Sequence, residues 1–352
     1  MGEAEGFLVG VIEGFYGRSW SYDTRLAYAD HLASAGLNTC LYCPKGDAYL
    51  RKSWQQDWPA DQWRQLLSLS QAYRKKGIFW GVGLSPFALY QHYGSAEREQ
   101  LQRKVGRLAE LDAPLLAILF DDMPGDMPGL AARQAEIVGD IVGWLPGVRI
   151  LVCPTYYSFD PVLEKHFGRM PTNYWAELGA ALPESADIFW TGNKVCSESI
   201  SAQDIERIRA ELGRPVLLWD NYPVNDGAVR SNFLYCSKLS HRGSLAPGML
   251  SGHLCNPMNQ ALLSLPALTG LGELYNSMDG DKGWLEEVMG RGTWQQLQAD
   301  RQDFEQLGLS GLGPNRCRQL ERVYRSLPGP AAVEVADWLA GEYIFDPACL
   351  TD

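Results

Sequence analysis

Over the first three quarters of the chain, short apolar runs alternate with longer amphipathic stretches, the pattern of repeated β-α units around a parallel sheet. Eight runs read as strands: 8–13 (LVGVIE), 37–42 (LNTCLY), 77–83 (GIFWGVG), 115–121 (LLAILFD), 148–152 (VRILV), 186–190 (ADIFW), 215–219 (PVLLW) and 249–253 (MLSGH). Between them the spacing predicts helices over 22–35, 61–76, 95–110, 128–143, 161–181 in broken form, 201–212 and 228–240, with another near 258–270. Eight strands with intervening helices fit a closed (β/α)8 TIM barrel better than an open doubly wound sheet, and no GxGxxG follows the first strand. From about residue 276 the composition turns to Glu, Gln, Arg and Leu at helical spacing, with Gly and Pro breaks at 311–314 and 328–330. The α/β chain therefore reads as a catalytic barrel over 1–275 followed by a small C-terminal helical appendage over 276–352. The aromatic end of that appendage is expected to pack on the barrel, the alternative being a homodimer through the C-terminal helices.

Composition narrows the partners. The formal net charge is −11, and the 31 Lys and Arg are dispersed, so a nucleic-acid partner is disfavoured and a neutral substrate fits better. No segment reaches the ~20 apolar residues of a membrane span, and the opening MGEAEG lacks a basic start and an apolar run. A cytoplasmic protein with no membrane partner is the expectation. The eight cysteines are spread over the whole length and read as buried free thiols. Cys40 and Cys43 form a CxxC, but there is no second CxxC or CxxH to complete a zinc site, and LNTCLYCP alternates like a strand.

In a (β/α)8 enzyme the reactive groups gather at the C-terminal ends of the strands. There the chain carries Glu13 and Gly14, Lys45 and Asp47, Ser85, Asp121 and Asp122, Tyr157, Asn193 and Lys194, Asp220, Asn221, Asn225 and Asp226, then His253 and Asn256. Any one of these could simply cap a helix or make a turn. So many polar strand ends, with Phe15, Tyr16, Trp20, Tyr157, Trp190, Trp219 and Tyr222 nearby, suit a sugar, which has apolar ring faces and a rim of hydroxyls.

Asp121 and Asp122 are the strongest feature, because neighbouring carboxylates at a barrel mouth push their pKa values apart, so that one stays ionised while the other holds a proton. The usual retaining glycosidase pair flanks the scissile bond from opposite sides, about 5–5.5 Å apart. Adjacent residues, with Cα atoms ~3.8 Å apart, approach a substrate from one side. They suit substrate-assisted catalysis, in which the substrate's own 2-acetamido oxygen is the nucleophile. A divalent-metal site using Asp122, Asp126 and Asp226 is the alternative use of such carboxylates.

At these residues the sequence resembles glycoside hydrolase family 84, the O-GlcNAcases and bacterial β-N-acetylglucosaminidases. The motifs are GVIEGFYGRSW (10–20), LNTCLYCPKGD (37–47), LFDD (119–122), CPTYY (153–157), WTGNKV (190–195), LWDNYPVND (218–226) and LCNP (254–257). The resemblance implies a retaining exo-β-N-acetylglucosaminidase acting on glycoprotein, glycopeptide or oligosaccharide, with no metal or organic cofactor. It implies that Asp121 orients and polarises the acetamido N–H, while Asp122 protonates the leaving oxygen and then activates water. Tyr157 would hold the acetamido group or its oxazoline, and Trp219 would wall the pocket beneath the N-acetyl methyl. Gly14 through its backbone, Lys45, Asn221, Asp226 and Asn256 match sugar-binding positions, with Asp226 on distal hydroxyls and Asn221 near the acetamido group. Asn193, where the family usually has Pro, and Tyr156, in place of a more usual polar residue, depart from the pattern at the expected pocket rim. A GlcNAc-binding protein without turnover and an endo-acting hyaluronidase-like hydrolase are the competing readings.

Overall fold

The computed structural model describes residues 6–243, 245, 247–275 and 283–351. Eight parallel strands close into a barrel in sequence order: β1 (Leu8–Glu13), β2 (Thr39–Tyr42), β3 (Phe79–Leu84), β4 (Leu115–Leu119), β5 (Arg149–Cys153), β6 (Asp187–Trp190), β7 (Val216–Asp220) and β8 (Leu250–Cys255). Closure is the pairing of β8 with β1, where Leu8 faces Gly252 and Val11 faces Cys255. Every residue of β1, β4 and β7 is buried, as strands covered on one side by helices and on the other by the barrel interior must be. All eight predicted strands are present, within two residues of their expected bounds.

The outer layer is α1 (Tyr22–Ser34), α2 (Ala60–Lys75), α3 (Ser95–Ala109), α4 (Leu130–Trp144), α5 (Val162–Phe167), α6 (Tyr174–Ala181), α7 (Ala202–Leu212) and α8 (Leu265–Tyr275). Local chemistry sets several starts. Ser21 accepts from the Thr24 N–H to cap α1, and Ser201 with Asp204 forms a capping box on α7. In α2 the buried positions Trp63, Leu66, Ser70 and Tyr73 recur at helical spacing against the barrel.

The helix expected over 228–240 is not there. The segment holds a single turn of 3-10 helix, Arg230–Asn232, and then runs irregularly. Leu234 and Cys236 are buried with half-buried Tyr235 between them, a period of two. Its backbone is satisfied from elsewhere: the Leu234 N–H donates to the Phe304 carbonyl, and the Ser237 carbonyl accepts from the Tyr222 hydroxyl. Tertiary partners from the C-terminal helices thus override the local helical spacing.

Those helices are α9 (Trp284–Met289), α10 (Arg291–Gln306), α11 (Gly308–Ser326) and α12 (Pro330–Leu339), while 276–282 of the expected appendage lie outside the described residues. They pack on the barrel. Phe304 stacks edge-on to Trp338, whose indole N–H donates to the Ser231 carbonyl, and the Glu334 carboxylate accepts from the Leu262 and Leu263 N–H groups. Among the described residues no helix is long and apolar enough to cross a membrane.

Beneath the mouth, β7 and β8 are joined by a buried polar network. Arg242 grips both oxygens of Asp220 at 2.6 and 2.8 Å, His253 Nε2 lies 3.0 Å from the same carboxylate, and His253 Nδ1 meets the Tyr275 hydroxyl at 2.9 Å. Burial alone would raise the Asp220 pKa, but the hydrogen bond and charge of Arg242, with help from His253, bring it down to about 2. Its ionised form therefore stabilises the fold above the ordinary carboxylate range, and that contribution is lost as pH falls towards about 2. Arg242→Met strands this carboxylate and is expected to cost ~3–5 kcal/mol in urea unfolding. The deficit should narrow in acid, where the stranded Asp220 takes up a proton; a deficit independent of pH would mean that the ion pair is not its source.

Candidate active site

The C-terminal ends of the strands converge on one pocket, about 490 Å³ of space counting its open mouth. All nine residues that the family resemblance assigns to the site line it: Gly14, Lys45, Asp121, Asp122, Tyr157, Trp219, Asn221, Asp226 and Asn256. They come from the ends of β1, β2, β4, β5, β7 and β8, which is why no local stretch of chain contains the site.

At its floor, the Lys45 ammonium makes an ion pair with Asp121 Oδ2 and lies 3.5 Å from Asp122 Oδ2. Arg51 Nη1 is 3.9 Å from the same Asp122 oxygen. Two carboxylates thus face two cations, and the group is close to neutral overall. Asp122 also accepts from the Tyr16 hydroxyl at 2.5 Å and from the Tyr157 hydroxyl at 3.3 Å. Asp121 is 4 % exposed, and its Oδ1 has no hydrogen-bond partner in the structure, an acceptor left over at the pocket wall.

The surroundings of Asp122 act on it in a way that adjacency alone does not predict. Burial pushes the Asp122 pKa up, but the Lys45 and Arg51 charges and the Tyr16 and Tyr157 hydrogen bonds outweigh it, so the ligand-free carboxyl is held below the ordinary range. For Lys45, burial favours the neutral amine, yet Asp121 and Asp122 more than compensate and keep it an ammonium. Tyr157 is raised well above the usual phenol range by burial and then by Asp122, so its hydroxyl keeps its proton and can donate.

The opposite wall is built from amides and an indole. Trp219 Nε1 donates to Asn221 Oδ1 at 3.0 Å, Asn256 Nδ2 donates to the same oxygen at 3.0 Å, and Asn221 Nδ2 donates to the Val195 carbonyl at 2.9 Å. Asn256 is anchored in turn by the Gly14 N–H on its side-chain oxygen at 3.2 Å. The Trp219 ring lies so close to Gly14 that a Cβ there would sit 2.4 Å from Cζ2, which accounts for glycine at this position. Asp226 accepts from the Tyr16 N–H at 2.7 Å and lies 3.9 Å from the Cys349 thiol.

The other polar strand ends serve the frame. Glu13 is held by Arg25 at 2.8 Å; Asp47 caps the turn at 48–50 and accepts from Tyr42 and Trp58; Asn225 bonds Gln260 and the Phe233 carbonyl. Lys194 is exposed beside Asp160. Ser85 is buried, its N–H on the Leu50 carbonyl. The two departures expected to alter the pocket rim point away from it. Asn193 donates to Asp204 at the start of α7, and Tyr156 is buried under the Gly125 loop with its hydroxyl on the Gly168 carbonyl.

Six cysteines are buried, but Cys196 and Cys349, expected to be buried with them, are only half-buried, and both line the pocket. Thr351 lines it too, near Tyr157. Among the residues that sequence reasoning misses are therefore Arg51, Cys196, the C-terminal Cys349 and Thr351, and Tyr16, which it gives only as a nearby aromatic.

The carboxylates of the metal alternative are not gathered: Asp126 is exposed, and Asp226 is turned to the Tyr16 N–H. Among the described residues, one group of three donors lies close enough to share an ion: Asp220, His253 and Cys255. Its chemistry does not fit a metal, since Arg242 holds both Asp220 oxygens and burial pushes the Cys255 thiol well up, keeping it protonated.

Residues 9–300 match the family model for β-N-acetylglucosaminidase. Over 285 residues the chain is 30% identical to the protein O-GlcNAcase of Mus musculus and equally to that of Rattus norvegicus, covering 78% of this chain and 31% of each relative. It thus spans about a third of the length of the curated relatives it matches. Among solved structures, a mutant O-GlcNAc hydrolase from Thermobaculum terrenum superposes with a TM-score of 0.75 at 25% identity, over 96% of this chain and 82% of that one. CpGH84B superposes with a TM-score of 0.74 at 22% identity, over 95% and 66%, a likeness of fold.

Proposed function

The chain belongs to the β-N-acetylglucosaminidase family, glycoside hydrolase family 84, and on that premise we propose that it is a retaining exo-hydrolase of terminal β-linked N-acetylglucosamine on glycoprotein, glycopeptide or oligosaccharide. The observation that carries the reading is the paired Asp121 and Asp122 carboxylates bracketing one ammonium, Lys45, in a pocket walled by Tyr157, Trp219 and Asn221.

In this reading the substrate supplies its own nucleophile. Its acetamido oxygen attacks the anomeric carbon as the glycosidic bond breaks, giving an oxazoline and a departing alcohol. Asp121 Oδ1, buried and without a partner, accepts the acetamido N–H and stabilises the positive charge that grows on the acetamido group. Asp122 gives its proton to the leaving oxygen and then draws one from the water that opens the oxazoline, so the proton count is restored each cycle. Trp219 offers an apolar face to the N-acetyl methyl, Asn221 meets the acetamido side of the sugar, Asn256 is a further sugar contact, and Asp226 takes distal hydroxyls.

An acid held below the ordinary range must be raised before it can carry a proton. Substrate binding acts in that direction twice. It deepens the burial that already raises Asp122, and it draws the Tyr157 hydroxyl towards the acetamido oxygen, away from a bond that lowers Asp122.

The test is release of 4-nitrophenol from its β-N-acetylglucosaminide and from its β-glucoside, with and without EDTA. Turnover of the acetamido sugar alone, unaffected by chelator, is the expected result. Equal turnover of the glucoside would refute the assisted mechanism, and loss with EDTA would favour the metal reading. No turnover together with tight binding of a thiazoline analogue would make the protein a sugar binder.

A further inference from the structure

Asp122 has a backbone conformation that L-residues rarely adopt, with φ at 54°, at a cost of order 1 kcal/mol unless the surroundings hold it. What holds it comes from 71 residues away in the chain: Arg51 Nη2 donates to the Asp122 carbonyl at 3.1 Å. The same guanidinium keeps Nη1 buried and without a hydrogen-bond partner, 3.9 Å from Asp122 Oδ2. A buried, unpaired donor is costly to leave in place. Arg51 itself is 9 % exposed and does not line the pocket. It follows the turn at 48–50, which is capped by Asp47 and tied to the end of β3 through the Leu50 carbonyl and the Ser85 N–H at 2.8 Å. Its other face lies over the Phe87 ring at 5.7 Å.

We propose that Arg51 is a positioning residue for the proton donor: Nη2 clamps the Asp122 backbone in the left-handed turn that aims its carboxyl into the pocket, and Nη1 is a reserve donor for the carboxylate formed when Asp122 releases its proton. This rests on the reading of Asp122 as the acid. A rigid clamp keeps the carboxyl within reach of the leaving oxygen, and the waiting cation favours the state in which the proton has left. The two duties use different properties of the guanidinium. The clamp needs its fixed fork of donors, whereas the electrostatic duty needs only positive charge.

The experiment compares wild type, Arg51→Met, Arg51→Lys and Asp122→Ala in kcat and KM against pH, on 4-nitrophenyl and on methyl β-N-acetylglucosaminide. In Arg51→Met the alkaline limb of kcat/KM should move up by about one pH unit, because a cation that lowers the acid is gone. Its kcat on the methyl glycoside should fall ~10–100-fold, with a much smaller loss on the nitrophenyl substrate. Arg51→Lys should return the limb to its wild-type position without restoring kcat, since an ammonium keeps the charge but not the fork. An unmoved limb in Arg51→Met with equal losses on both substrates would overturn the inference. So would Arg51→Lys matching wild type in kcat on the methyl glycoside, which decides the matter even if Arg51→Met does not fold. A wild-type protein that turns over neither substrate would overturn the reading of the site, and this inference with it.

Discussion

Asp122→Ala should lose ~10²–10⁴ of kcat on glycosides of poor leaving groups, alkyl alcohols or a serine side chain, and far less on activated aryl glycosides. An alkoxide is too basic to depart without a proton, whereas a nitrophenolate departs unaided. The difference between substrates therefore isolates proton donation from every other duty of the residue. The wild-type surroundings make this a demanding test. Lys45, Arg51, Tyr16 and Tyr157 all favour the carboxylate, so an Asp122 that served only as an electrostatic anchor would have no reason to discriminate between leaving groups. A plot of log kcat/KM against leaving-group pKa should be shallow for wild type and steep for the variant. Parallel lines, with equal losses throughout, would remove Asp122 from the acid role.

The barrel is legible in the sequence because each strand is covered on both faces. LVGVIE, LLAILF and PVLLW are continuous apolar runs for that reason, and the helices between them show one buried stripe apiece. The segment 228–240 is not legible in the same way. Its apolar residues answer to the C-terminal helices as well as to the barrel, as the bonds of Leu234 to Phe304 and Ser231 to Trp338 record, and no local period encodes two partners.

The site divides along a similar line. Nine of its residues sit at strand ends or within a few residues of them, where the fold itself says to look, and all nine line one pocket. Arg51 and Tyr16 reach Asp122 across 71 and 106 residues of chain, and Thr351 arrives from the far end; their roles arise only from closure of the barrel and docking of the C-terminal segment. Adjacency of Asp121 and Asp122 announces repulsion, but it gives no sign of the two cations that cancel it. Asn193 and Tyr156 show the converse error. They lie within motif runs, yet Asp204 and the Gly168 carbonyl draw them away from the pocket.

Asp121→Asn separates the second carboxylate from the first by the same substrate comparison and with the opposite outcome. The variant keeps the volume and one oxygen but loses the charge that Lys45 neutralises and that would face the growing positive charge on the acetamido group. Formation of the oxazoline accompanies departure of every leaving group, so the loss should be uniform: ~10²–10³ in kcat on nitrophenyl and methyl glycosides alike, the range found when one preorganised polar partner is removed from a developing charge. Binding of a thiazoline analogue should weaken as well, since its ring nitrogen, once protonated, carries the positive charge that the Asp121 carboxylate faces. The Asn variant also leaves Lys45 with Asp122 alone, which should strengthen that pair and draw the acid still lower. The alkaline limb of kcat/KM should therefore move down in Asp121→Asn, opposite to its movement in Arg51→Met. A loss confined to poor leaving groups would instead mean that the two aspartates exchange roles, with Asp121 as the proton donor.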